Sequence, residues 1–286
     1  MRRLGFASSP AQPARAPRGF TLTEAIIVIA IVAIIAAVIA VFVRAPVQGY
    51  VASASRAELA DAADTALRRI VRDLRAALPN SVRTLSPCAP ATACLEFIPV
   101  VAGARYRAER TGAGAGNPLD FSAADTSFDI VGPGIDLPAG ALWVVVYNLG
   151  LPGADAYSGA ATVGDVRRAY SGASGAVSTI NMVSVQRLPF DSPARRFQVV
   201  QQPVTYQCDL ALGQLVRVWN YGFISAQGSR SSADSALLAD KVTGCSFDYS
   251  AQNVAQRAGA VLISLQLAAS GETVSLAVQA HVSNVP

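Results

Sequence analysis

Glu24 heads nineteen residues, 25–43, that carry no charge (AIIVIAIVAIIAAVIAVFV). A carboxylate costs roughly 2.5–3.5 kcal/mol at the centre of a membrane span on insertion scales, and less near its end. A residue kept at that cost is functional by default, and its natural partner is a cation at the same depth. Elsewhere the chain is poor in groups for catalysis. Its single histidine, His281, cannot build a multi-His metal site. No G-x-S-x-G, H-E-x-x-H or C-x-x-C occurs, and the only lysine, Lys241, lies in Ala239-Asp240-Lys241 rather than in a phosphate loop. Asp120, Asp125 and Asp129 lack the calcium-loop spacing. Arg167-Arg168 and Arg195-Arg196 are local pairs rather than a basic stripe, so no nucleic-acid partner is expected. The expectation is a protein that is not an enzyme and needs no cofactor or metal.

The elements that place Glu24 follow from hydropathy. Residues 20–43 would form about 36 Å of helix, enough for a hydrocarbon core of about 30 Å. The preceding flank holds Arg2, Arg3, Arg15 and Arg18 and no acid, whereas Arg44 is followed by no basic residue until Arg56. The positive-inside rule then puts the N-terminus in the cytoplasm and the remainder outside. A secretory signal cut at Ala52-Ser53-Ala54 is the competing reading. It conflicts with a core longer than the usual 7–15 or so residues, with Arg44 and Pro46 ahead of that site, and with Glu24.

The 286 residues are 52% hydrophobic and only 15% charged, which excludes a disordered chain. The formal charge of +4 arises from 23 Lys+Arg against 19 Asp+Glu. Setting aside the four Arg of residues 1–19 leaves 19 against 19, so the charge gives no argument for an acidic partner.

The run Arg18-Gly19-Phe20-Thr21-Leu22-Thr23-Glu24 resembles the processing site of type IV prepilins and of the related type II secretion pseudopilins. The resemblance implies cleavage after Gly19 by a prepilin peptidase, N-methylation of the new N-terminal Phe20, and Glu24 as the acid used in assembly. The new amine at Phe20 would neutralise Glu24 of a neighbouring subunit, removing much of the cost of a lone buried charge. Thr23 departs from the aliphatic residue usual there, and a leader of 19 residues is long for the family. Two further stretches, 56–64 running on to 78–83 and 95–107, look like the MshO group of mannose-sensitive haemagglutinin pilus biogenesis proteins. The implied partners are the peptidase/methyltransferase, other major and minor pilins and an inner-membrane assembly platform. The implied location is the inner membrane, single-pass with a periplasmic head, and then the pilus or its tip. The alternatives are a minor pseudopilin of type II secretion, of the J or PilW type, and a bitopic membrane protein with an extracytoplasmic ligand-binding domain.

Pro46 predicts a kink or local unwinding around 43–47. Beyond it, Leu59, Ala63, Leu67, Ile70, Leu74 and Leu78 recur at helical spacing with charges on the other side, up to a stop at Pro79-Asn80-Ser81. From Ser81, β-type runs appear at 95–101, 141–147, 182–188, 197–200, 214–219, 245–249, 261–267 and 273–281, with 269–272 as a hairpin turn. Gly/Pro/Ser-rich stretches at 111–118, 132–140, 150–164 and 171–178 read as loops. The expected fold is α+β, a long N-terminal helix packed on a mainly antiparallel β-sheet head, pilin-like. Its expected parts are a leader 1–19, an assembly helix 20–43, an amphipathic helix 44–80 and a head 81–286. The four cysteines fall outside the cytoplasm, where disulfides persist, and allow three connectivities. Cys88–Cys94, closing a short loop, and Cys208–Cys245, joining two late strands, are the pairings expected. Sequencing the mature protein tests the N-terminal reading: methylated Phe20 is expected, and a chain starting at Ser55 would establish the secretory signal instead.

Overall fold

The structure, a computed structural model, describes residues 19–159, 166–232, 234–249 and 258–286. Residues 1–18, with the four leader Arg, and the last part of the expected 150–164 loop lie outside the described residues. The chain divides into two compact units, Met1–Ser53 and Ala54–Pro286.

Helix α1 covers Leu22–Arg75. In the first unit its apolar run is exposed, and it is long and apolar enough to cross a membrane. Pro46 does not interrupt it, contrary to the unwinding expected there. The ring removes one N–H from the ladder and the flanking turns remain helical.

In the second unit the expected stripe is buried: Leu59, Ala63, Leu67, Ile70 and Leu74 belong to one core cluster. The helix ends at Arg75 and not at 80. The chain turns off through Ala76 and Ala77, whose N–H groups bond to the carbonyls of Asp73 and Leu74 three residues back. Leu78 N then donates to Ile98 O at 2.7 Å, and Val100 N to Ala76 O at 2.8 Å. Tertiary strand-like pairing thus outcompetes the last helical turn before proline is reached.

Two antiparallel sheets close over the stripe. The first has the order β1 (Arg83–Leu85), β2 (Ala93–Phe97), β11 (Val204–Asp209), β12 (Gln214–Val218) and β13 (Ser235–Ala239). The second has the order β14 (Val242–Tyr249), β15 (Ala258–Ala269) and β16 (Glu272–Ser283). Residues of α1, β2, β11, β15 and β16 share one core, among them Leu95, Phe97, Tyr206, Ile263 and Ala280. Ser270 and Gly271, which connect β15 to β16, both have positive φ, as a tight I′ hairpin requires.

The expected single sheet is in fact two, together with a closed barrel inserted between β2 and β11. Its strands run β10-β3-β4-β9-β7-β6: Arg196–Val200, Val100–Tyr106, Ser127–Val131, Thr179–Val183, Arg167–Tyr170 and Trp143–Val145. A second core fills it, with Phe128 edge-on to both Phe197 (5.0 Å) and Tyr106 (6.3 Å). The run read as 95–101 is two strands, broken at Ile98-Pro99. The strand expected at 182–188 is β9, which ends at Val183. The loops expected at 132–140 and 171–178 contain a small ladder, β5 (Ile135–Leu137) with β8 (Gly175–Val177).

The far face of β2 holds a buried charge. Glu96 is fully buried and accepts Arg83 Nε at 2.8 Å, Arg230 Nη2 at 3.3 Å and Tyr221 Oη at 2.9 Å. Arg83 and Arg230 also donate to the carbonyls of Ile224, Ser225 and Ala226, which holds the segment between β12 and β13 against the sheet. Burial first, and the Glu96 charge second, push the phenols of Tyr157 and Tyr221 well above their ordinary pKa. Removing one partner of a buried ion cluster leaves charge uncompensated. Glu96→Ala should therefore destabilise the protein by about 3–5 kcal/mol. Urea unfolding of the full chain in detergent checks this, and an unchanged midpoint would contradict it.

Candidate processing and assembly site

Gly19 and Phe20 precede α1, and Thr21 caps it. The Thr21 carbonyl accepts Ala25 N–H at 3.1 Å, and its Oγ1 accepts Glu24 N–H at 3.3 Å. Glu24 is the third helical residue, and its Oε2 lies 3.4 Å from Thr21 Oγ1, which donates to it. Thr23 Oγ1 joins the cluster at 3.2 Å from Thr21 Oγ1. Thr21-x-x-Glu24 has the spacing of a capping box, with the carboxylate returning to the cap hydroxyl. A carboxylate in the first turn also faces the positive end of the helix dipole, worth about 0.3–1 kcal/mol at exposed sites. Glu24 is therefore held in the first turn of the apolar helix, four residues from Phe20.

Its surroundings are open. Phe20 and Leu22 are 72% and 80% exposed, and the apolar residues of the span present outward-facing side chains. A Cβ on Gly19 would meet nothing within 4 Å. The packing of this chain does not demand glycine there, so any such demand belongs to a partner that binds the segment. Arg18, the basic residue ahead of Gly19, lies outside the described residues.

The head contributes structural chemistry. Cys88 is bonded to Cys94 (Cα–Cα 5.8 Å) and Cys208 to Cys245 (Cα–Cα 6.5 Å). The first closes the loop between β1 and β2; the second ties the five-stranded sheet to the three-stranded one. Asp73 accepts Tyr206 Oη at 2.8 Å and Arg217 Nε at 3.1 Å, and pairs with Arg69 at 3.2 Å. It therefore locks α1 to β11 and β12. Burial, with the Asp73 charge next, raises the Tyr206 phenol. The Arg167-Arg168 pair is buried and not a surface patch. Arg167 donates to the carbonyls of Ala156 and Gly159, with its guanidinium 3.8 Å over the Phe223 ring. Burial, and then the Arg168 charge, lower its pKa to about 10, so it stays charged at neutral pH. His281 stands on the exposed side of β16. Among the described residues no three His, Cys, Asp or Glu side chains gather as a metal site.

Three residues that matter here carry no role in the sequence reading. Thr21 is signalled by the T-x-x-E spacing ahead of an apolar run. Glu96 is signalled by a lone acid inside an apolar strand. Asp73 has no distinguishing signal among the other charges on its helix.

Residues 15–40 match the prokaryotic N-terminal methylation motif. The chain thus carries the signal of type IV pilin-like and pseudopilin proteins, joined to one apolar helix suited to single-pass membrane anchoring. That signal implies a prepilin peptidase and other pilin-like subunits as partners in general terms. No curated protein and no solved structure was found to match the chain.

Proposed function

We propose that the protein is a minor pilin-like subunit, processed after Gly19, that assembles into or initiates a type IV pilus of the mannose-sensitive haemagglutinin type. The observation that carries this reading is the methylation motif at 15–40 set directly on an exposed apolar helix whose first turn holds Glu24. The prepilin is inserted with its N-terminus in the cytoplasm and its head in the periplasm, where the two disulfides persist. Cleavage creates a positive amine at Phe20, which methylation keeps basic. The mature helix then leaves lipid for a bundle of like helices. There Glu24 of one subunit is neutralised by the Phe20 amine of another, and the exposed apolar face is covered. The role is structural and not catalytic.

Retention of Glu24 favours a subunit within the filament body or its initiating complex over a capping pseudopilin that lacks this acid. A head enlarged by an inserted barrel favours low copy number near the tip, because every extra residue outside the shaft must be accommodated between neighbours.

Gly19→Leu should leave unprocessed protein in the membrane, seen as a larger species on immunoblots; normal processing would remove the peptidase assignment. Glu24→Ala should reduce surface piliation, or co-purification with sheared filaments, while the head keeps both disulfides and its circular dichroism. Wild-type assembly in that variant would make the amine–carboxylate pair dispensable.

A further inference from the structure

Strand β16 is an unprotected sheet edge. It pairs with β15 over its whole length, from Ala269↔Glu272 to Ala258↔Ser283, without a register shift. Among the described residues no strand lies on its other side, and no further backbone hydrogen bond reaches it. At twelve residues it offers about 40 Å of unpaired backbone donors and acceptors. Other edges are managed: β1 and β13 have three and five residues, β5 and β8 three each, the barrel is closed, and β14, the opposite edge of this sheet, carries a register shift between Val242 and Gly244 and is tied to β11 by Cys208–Cys245. β16 has none of the usual guards. It contains no Lys, Arg or Pro and no bulge, and its one acid, Glu272, is paired with Arg56 at 2.9 Å.

Along that edge lies a groove of about 380 Å³ between β16 and α1. Leu67, Val71, Leu276 and Val278 form its apolar floor. Arg68, Arg72 and Arg75, all exposed, line the α1 side. Asp64 also lines it and is paired with Arg68, but no carboxylate among the described residues pairs with Arg72 or Arg75.

We propose that this edge and groove bind an extended, acidic segment of a partner protein by strand addition. The backbone of the segment continues the sheet beyond β16. Alternate side chains turn towards α1, apolar ones onto the floor and carboxylates onto Arg72 and Arg75. A second copy of this chain fits less well. Edge-to-edge pairing would bring to the Arg rim only β16 itself, whose single carboxylate is already engaged by Arg56. The proposal concerns the head alone and does not rest on the pilin-like assignment.

The test uses the full chain in detergent micelles and a fluorescent peptide of three Val-Thr-Glu-Thr repeats, read by anisotropy. Saturable binding is expected. It should be lost when Lys replaces Glu in the peptide, and lost when alternate peptide nitrogens are methylated, which removes the donors an added strand needs. Arg72→Glu with Arg75→Glu, both at exposed positions, should weaken the acidic peptide at least about tenfold with unchanged circular dichroism. Three results would each overturn the proposal: no binding of the acidic peptide, equal binding of the methylated peptide, or no effect of the double reversal. Concentration-dependent dimers in light scattering that the peptide does not disperse would assign the edge to a second copy instead.

Discussion

One apolar stripe, from Leu59 to Leu74, is what the second unit is built on. Neither sheet has a complete core without it: the inner residues of β2 and β11 and those of β15 and β16 meet on the same helical face. A helix that serves two sheets at once must be fixed in rotation, because a turn of one residue would offer charges to both. Two devices supply that. Asp73 is held by Tyr206 and Arg217 on one side, and Arg56 meets Glu272 on the other. The Cys208–Cys245 bond then links the sheets directly. The helix is therefore polarised along its length, since its earlier part exposes large apolar side chains from Leu22 to Val51.

The N-terminal segment carries the complementary logic. Thr21 Oγ1 satisfies one orphan N–H of the first helical turn, that of Glu24, and keeps the Glu24 carboxylate close to it. A charge at this point is tolerable in the single chain because of the cap and the dipole. It becomes costly when the helix is enclosed by others, unless a cation arrives with the neighbour. Under the proposed function, local capping would serve this side chain before assembly and intermolecular pairing after it.

How much was legible in the sequence depended on whether signals were local. The span, Glu24 and the stripe at 59–74 rest on composition and on a period of 3.6, and both are visible without knowing any contact. The β15–β16 hairpin was legible because Ser270-Gly271 separates two long alternating runs. The helix terminus was misplaced because Leu78 and Val100 bond across the β2–β3 junction, a pairing that no window around Pro79 contains. The barrel was invisible for a related reason. Its strands are three to seven residues long and interrupted by Gly-rich turns, so β4 and β7 are absent from the expected runs. Glu96 and Asp73 draw their importance from Arg230, Arg217 and Tyr206, more than a hundred residues away.

The way the barrel joins the rest of the head has its own consequence. Its first and last strands, β3 and β10, lie side by side, with Val100 opposite Val200. Immediately outside, Gln201 N–H bonds to Pro99 O at 3.0 Å. The insert leaves and re-enters through a neck one peptide pair wide, already hydrogen-bonded shut. Lengthening, shortening or exchanging what lies beyond such a neck changes the loop-closure entropy of the core only logarithmically. What limits exchange is the interface beside the neck, where Trp143, Tyr157 and Arg167 of the insert pack with Leu78, Ile98 and Phe223 of the rest of the head; the barrel strands away from that interface carry no such constraint.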